Sequence, residues 1–311
     1  MTTLPIPDAP TLLLDAALGT ELSRLGADTS APLWSARALR SRPDLVLRVH
    51  RENAAAGADL LTAGTFRTHP RNLRASGLSF AVAEALASEL TRRAIDLARE
   101  GGELGRQEAG EPGRPLLVAG SLSPLEDCYN PGLVPGDEAL ASEHRDQAER
   151  LAMAGADLIV VETFNARREA LAAVRAALAT GLPVVAAVVT DGQGRLLAGA
   201  PLVPTVRELL SAGPLLAVGV NCVPSRSVLG ELLQLRDGLP EAPLAAWGNT
   251  GRAVDEAAGL FTEPVSPEEY ARLATGWRRA GLRLVGGCCG TTAAHTRALR
   301  QMLDGPLKES P

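Results

Sequence analysis

The chain has 311 residues, of which 46% are hydrophobic and 3% are aromatic, and its net charge is −5. This length suits an α/β barrel built as one domain, whose core Leu, Val and Ala must fill because aromatic rings are scarce. The acidic balance and the scattered basic residues argue against nucleic acid or an anionic membrane as a partner.

Targeting signals are also missing from the sequence. No apolar run approaches the ~18 residues of a membrane span. Residues 1–10 lack the basic start and long apolar stretch of a secretory signal. We therefore expect a cytoplasmic protein. No segment of the sequence indicates an oligomer interface.

Short apolar segments bounded by Gly or Pro alternate with helical patterns, as is typical of a parallel sheet buried on both faces. The predicted strands are residues 11–15, 59–62, 116–120, 157–161, 184–189, 215–220, 244–247 and 282–285. The predicted helices are residues 43–56, 80–99, 137–154, 167–179, 204–211, 225–236, 267–279 and 291–303. These eight units predict a (β/α)8 TIM barrel spanning residues 1–311 as a single domain, with a doubly wound open sheet as the alternative.

Three long loops separate these elements. Residues 100–114, rich in Gly and Glu, are predicted to be solvated surface. Residues 121–136 and 248–266 follow the third and seventh strands, on the side where barrels build their active sites. We expect the loop 248–266 to cover the substrate.

Residues with chemically useful side chains gather at the carboxyl ends of the predicted strands, the catalytic face of barrel enzymes. They are Asp15, Thr65, Glu162, Cys222, Asn249, Cys288 and Cys289. A random scatter would put about half of such residues on the opposite face of a barrel. The sequence therefore predicts an active site at this face.

Four cysteines in a chain of this length do not form a disulfide framework. Cys288 and Cys289 are adjacent, and their flanking glycines allow the sharp turn that would aim both side chains at one point. Cys222 would add a third thiolate, because the sixth and eighth strands lie near each other in a closed ring. Three thiolates and one open position describe a catalytic zinc ion. Two buried cysteines acting as small hydrophobic residues, or a vicinal disulfide, are the alternatives.

Asn221-Cys222 and the run Gly286-Gly287-Cys288-Cys289-Gly290-Thr291 resemble the homocysteine S-methyltransferase family. Further matching segments are residues 14–22, 56–59 with 65–66, and 161–163, so the resemblance covers about residues 11–300. Residues 33–36 and 43–45 are similar to the branch that uses S-methylmethionine. Two features depart from the family: its usual Asp-Gly-Gly or Asp-Gly-Ala is Asp15-Ala16-Ala17 here, and the loop 121–136 does not match closely.

The resemblance implies a zinc-dependent transfer of a methyl group from S-methylmethionine or S-adenosylmethionine to the thiol of homocysteine, giving methionine. Zinc would deprotonate the acceptor thiol without a general base. Glu162 is our first choice to bind the acceptor's amino group, or it organises the barrel mouth. Asp15 would share that role or position its loop. Thr65 and Asn249 would bind substrate or serve the fold, and the Asn249 amide oxygen would also suit the open metal position.

Several alternatives stay open at this point. In one alternative the methyl donor is betaine. In another the acceptor is selenocysteine or another small thiol. A hydrolytic zinc barrel fits less well, because such sites usually use His and carboxylate ligands. A zinc-binding redox sensor is the alternative outside enzymes. Cys128 is interpreted as a bystander, and Trp34 is the aromatic residue to watch for a cationic donor.

Overall fold

Strands and helices alternate along the chain, in a computed structural model that describes residues 11–255 and 260–306. The strands are β1 Leu12–Leu13, β2 Leu60–Ala63, β3 Leu117–Leu122, β4 Leu158–Phe164, β5 Val184–Val188, β6 Ala217–Pro224, β7 Leu244–Asn249, β8 Arg252–Asp255, β9 Leu260–Thr262 and β10 Leu282–Gly287. The helices are α1 Leu18–Arg24, α2 Ala38–Ser41, α3 Pro43–Ala55, α4 Pro70–Ala75, α5 Phe80–Glu108, α6 Asp137–Met153, α7 Arg167–Ala179, α8 Leu202–Ser211, α9 Ser225–Gly238, α10 Pro267–Arg279 and α11 Ala293–Asp304. The expectation about residues 1–10 lies outside the described residues.

Eight of these strands form one parallel sheet, in the order β1-β10-β7-β6-β5-β4-β3-β2. Its two outer strands also meet, because Leu14 pairs with Leu60 in parallel and the amide of Asp59 donates to the carbonyl of Leu13. The sheet therefore closes on itself, and the predicted (β/α)8 barrel is confirmed. The last barrel strand, β10, and β6 flank β7.

Side chains alternate between the inside of the barrel and the helical layer outside it, as the period of a strand requires. In β4, Leu158 and Val160 join an inner cluster with Trp247, whereas Ile159 and Val161 pack under the helices. Both faces of the strand are apolar. This explains why the strands appear in the sequence as short continuous apolar runs.

Several strands extend further than the sequence predicts. β4 continues to Phe164, β6 to Pro224 and β7 to Asn249. Glu162, Cys222 and Asn249 therefore lie within their strands instead of after them. The apolar pattern stops early because the last paired residues of these strands carry polar side chains or thiols.

The segment 100–114, predicted as a solvated loop, is exposed over most of its length but is helical as far as Glu108. Helix α5 continues to Glu108, and Gly101, Gly102 and Gly105 are buried within it. A Cβ atom on Gly101 would lie 2.8 Å from the carbonyl oxygen of Leu47 in α3. These glycines therefore allow two helices to pack closely, although glycine in a helix interior usually indicates a break.

The loop 248–266 contains the antiparallel hairpin β8–β9, and its residues 256–259 lie outside the described part of the chain. The expectation that this loop covers the substrate therefore stays a prediction. Among the described helices, none is both long and apolar enough to cross a membrane.

Candidate active site

The three cysteines singled out in the sequence meet at the carboxyl ends of β6 and β10. The Sγ atom of Cys222 lies 3.2 Å from that of Cys288 and 3.7 Å from that of Cys289, and the adjacent pair are 3.9 Å apart. All four cysteines of the chain are free of disulfides. Cys222 and Cys289 are buried, while Cys288 is partly exposed.

Two of the three sulfur–sulfur distances match the spacing that a tetrahedral metal ion requires, and the third, 3.2 Å, is shorter. Zinc–sulfur bonds of ~2.3 Å at tetrahedral angles place their sulfur atoms about 3.8 Å apart. Three ligands leave one position of such an ion open. Among the described residues, this is the group of His, Cys, Asp or Glu side chains in which three ligand atoms converge in this way.

The electrostatics of the cluster also favour a bound cation. Hydrogen bonding to Cys288, together with burial, raises the pKa of the Cys222 thiol well above its ordinary value. Contacts with the other two sulfurs and burial raise the pKa of Cys289 likewise. Three thiolates can therefore share this place at neutral pH only when a positive charge compensates them.

The backbone that aims the thiols is shaped at Cys222 and Gly290. Cys222 adopts the left-handed region with φ 57°, and the side-chain amide of Asn249 donates to its carbonyl at 3.1 Å. Gly290, with φ 81°, turns the chain after the adjacent pair. Gly286 has ordinary φ instead, and a Cβ atom there would lie 2.6 Å from the Cβ of Leu14. Only the glycine after the pair thus supplies the unusual backbone conformation that we expected of its flanking glycines.

Glu162 lies beside the cysteines on the wall of the same cavity. Its Oε1 accepts a hydrogen bond from the Ser121 hydroxyl at 2.5 Å, and its Oε2 accepts one from the Trp247 indole at 3.1 Å. Burial raises the pKa of this carboxyl to about 7, although both hydrogen bonds oppose the shift. Neither Ser121 nor Trp247 was predicted as a partner, although Ser121 ends the apolar run of its strand.

Asp15 is a second buried carboxyl on the cavity wall. The amide of Thr62 donates to its Oδ2 at 3.0 Å, and Nδ1 of the buried His50 lies 4.0 Å from the same oxygen. Burial raises the pKa of Asp15 well above its usual range, and the nearby Glu162 contributes to that shift. The cavity therefore holds two carboxyls that gain from a cationic ligand.

Thr65 and Asn249 are both buried next to this cavity and engaged with the backbone. The Thr65 hydroxyl donates to the carbonyl of Ser121 at 2.8 Å. The Asn249 amide holds the carbonyl of Cys222, while its own Oδ1 is buried without a hydrogen-bond partner among the described residues. These contacts place both residues in support of the site's backbone.

The two alanines that follow Asp15, where the family motif differs, have amides that are already engaged. The amide of Ala16 donates to Oδ1 of Asn53 at 3.0 Å, and that of Ala17 donates to the Thr291 hydroxyl at 3.2 Å. Both alanines line the cavity. A substrate carboxylate would have to displace a side chain to use either amide.

The cavity has a volume of about 540 Å³ and opens at the carboxyl end of the barrel. Trp34 and Phe66 form part of its wall, with ring centroids 5.8 Å apart in an edge-to-face arrangement. The loop 121–136 contributes Cys128 and Tyr129. The Tyr129 hydroxyl reaches the Sγ atom of Cys222 at 3.0 Å, a contact that the sequence did not reveal.

Comparisons with known proteins agree with this site. The family model described as homocysteine S-methyltransferase matches residues 12–303. The homocysteine S-methyltransferase of Escherichia coli K12 is 33% identical over 304 residues, which cover 93% of this chain and 94% of that protein. The selenocysteine methyltransferase of Astragalus bisulcatus is 29% identical, over 94% of this chain and 92% of its own length.

A solved structure is also similar. The metallated form of the homocysteine methyltransferase MmuM from Escherichia coli superposes with a TM-score of 0.80 at 31% identity, over 94% of this chain and 96% of that one. Sequence and fold thus agree over nearly the full length of both proteins. On these grounds, this chain belongs to the homocysteine S-methyltransferase family.

Proposed function

We propose that this enzyme transfers a methyl group from a sulfonium donor to the thiol of homocysteine, giving methionine, and that it depends on zinc held by Cys222, Cys288 and Cys289. The observation that carries the proposal is the convergence of three sulfur atoms within 3.9 Å of one another. They lie on the wall of a cavity that also holds two buried carboxyls.

The donor set supports zinc as the metal. Thiolates select soft or borderline ions such as zinc over magnesium or calcium. The similar structure from Escherichia coli is described as metallated, which agrees with a metal at a site of this kind. Bound zinc would supply the charge that keeps a coordinated thiol deprotonated at neutral pH.

The two buried carboxyls suit the amino group of the acceptor. Oε1 of Glu162 accepts one hydrogen bond, from Ser121, and keeps a further lone pair for an ammonium donor. Its Oε2 accepts from the Trp247 indole and, at 3.5 Å, from the side-chain amide of Asn221. Asp15 would add a second negative charge from another side of the barrel, because it follows β1 whereas Glu162 lies in β4, several strands away. Binding of the ammonium group then favours the ionised form of both carboxyls.

The chemistry needs little from the rest of the chain. The acceptor sulfur attacks the donor's methyl carbon, the bond from that carbon to the sulfonium sulfur breaks, and the donor leaves as a neutral thioether. No proton has to be delivered to the leaving group. Accordingly, the residues described around the thiols position and neutralise the substrates and include no histidine on the cavity wall.

The direct test is methionine formation by zinc-loaded protein from homocysteine and each of S-methylmethionine, S-adenosylmethionine and betaine. We expect turnover with one or both sulfonium donors and none with betaine. Absence of methionine with every donor, in protein that carries one zinc per chain, would refute the proposal.

Selenocysteine is a second candidate acceptor. The relative from Astragalus bisulcatus, described as a selenocysteine methyltransferase, favours it, because that protein matches this chain over 94% of its length. Comparison of kcat/KM for homocysteine and selenocysteine with the same donor decides between the two acceptors.

A further inference from the structure

Arg67 lies in the loop between β2 and α4 and lines the cavity. It is the single basic side chain among the described residues of the cavity wall. Four carboxyl side chains lie on the same wall, namely those of Asp15, Glu126, Asp127 and Glu162. A lone guanidinium in an acidic cavity suggests a ligand that carries a negative group as well as a positive one.

Neutral groups hold this guanidinium in place. Nη1 of Arg67 donates to the carbonyl of Glu126 at 3.0 Å, and the Phe66 ring lies beneath it at 5.2 Å from the centroid. The Glu126 carboxylate is bound by Arg71 at 2.9 Å instead. Within the described part of the chain, no carboxylate lies within ion-pair distance of Arg67. Most of its five N–H donors thus remain for an anion, and a carboxylate matches their planar geometry.

The position of Arg67 relative to the thiols favours the donor over the acceptor. The loop that holds Arg67 through Glu126 also carries Tyr129, whose hydroxyl touches Cys222 at 3.0 Å. Glu126 and Tyr129 are three residues apart, so one short segment contacts both Arg67 and the sulfur cluster. A donor whose sulfonium faces the acceptor sulfur would extend its other end along this segment.

The proposed function places the amino group of the acceptor at Glu162. The amino and carboxylate groups of an amino acid share one carbon atom, so both stay close to the partner of either. Arg67 forms no ion pair with Glu162 or Asp15 among the described contacts. We propose that Arg67 binds the carboxylate of the methyl donor and thereby selects sulfonium donors that carry an amino-acid group, a role that rests on the proposed methyl transfer.

Donor kinetics test this assignment. Zinc-loaded parent protein and Arg67→Met are compared with S-methylmethionine and with its carboxamide, which lacks the negative charge. Loss of a bidentate charged contact should raise the variant's KM for S-methylmethionine about 10- to 100-fold. The KM for the carboxamide should agree between parent and variant within about twofold, and the KM for homocysteine should not change.

Arg74→Met is the matched control. Arg74 also stacks on an aromatic ring, that of Phe80 at 5.8 Å, but it is exposed and does not line the cavity. Its loss should leave both donors unaffected. The ratio of kcat/KM for the two donors within one variant does not depend on how much of the protein is folded. A poorly folding variant therefore still tests the assignment.

Two results would overturn the assignment while leaving the proposed function intact. An equal rise in the KM for S-methylmethionine and for its carboxamide would mean that Arg67 only positions its loop. A raised KM for homocysteine alone would mean that Arg67 binds the carboxylate of the acceptor instead of the donor. If the parent protein makes no methionine from any donor, the proposed function fails first and this inference with it.

Discussion

Replacement of Glu162 by Gln tests the acceptor site most directly. The change keeps the shape of a side chain that is 9% exposed and removes the charge that would face the acceptor's ammonium group. A hydrogen bond to a charged partner contributes roughly 1.5–3 kcal/mol, so the KM for homocysteine should rise about 10- to 150-fold. The donor's KM should stay near its parent value.

The pH dependence of the parent gives a second readout. Because burial raises the pKa of Glu162 to about 7 in the empty site, the carboxyl is mostly protonated below that pH. The kcat/KM for homocysteine, which reports the free enzyme, should therefore fall as the pH drops through about 7. In Glu162→Gln this fall should disappear.

Steady-state kinetics between pH 5.5 and 8.5, with the zinc content measured at each pH, provide the assay. Glu231→Gln is the matched control, because Glu231 is also fully buried and accepts a hydrogen bond from Thr190 at 2.5 Å, away from the cavity. An unchanged KM together with an unchanged pH profile in Glu162→Gln would refute the amino-group role.

Two further predictions concern the metal and the fold. Cys289→Ser should lower the zinc content well below one ion per chain, as elemental analysis of the purified protein would show; full occupancy would contradict the three-thiolate site. Gly105→Ala should destabilise the fold by about 1–3 kcal/mol, because its Cβ would overlap the carbonyl oxygen of Arg51 in the neighbouring helix. Urea unfolding measures both changes, and Gly113→Ala should leave the free energy of unfolding nearly unchanged, since nothing lies within 4 Å of a Cβ there. An equal effect of the two substitutions would argue against close helix packing as the cause.

Much of the site follows from the sequence, because strand ends in a parallel barrel share one face. Cys222 lies 66 residues before Cys288, yet the sequence predicts their meeting once the strand order is assumed. The ring order places β7 between their strands. Placing Asp15 and Glu162 on this face required only the same assumption.

Tertiary contacts were harder to predict. The stretch 100–114 contains several glycines, and local propensity indicates a loop there. Its helix persists because the glycines bring α5 against α3, and no local pattern contains that information. The hydrogen bonds from Ser121 and Trp247 to Glu162, and the contact of Tyr129 with Cys222, likewise join segments far apart in the chain.

The separation of the three sulfurs along the chain has a consequence for folding. An ion that joined Cys222 to Cys288 would close a loop of 66 residues, which contains β7, the hairpin and α10. In a chain-entropy description, a cross-link of that span restricts the unfolded chain by an amount on the order of 4 kcal/mol. The metal would then cross-link the last quarter of the barrel. The free energy of unfolding would rise with metal loading even in a variant that cannot bind either substrate.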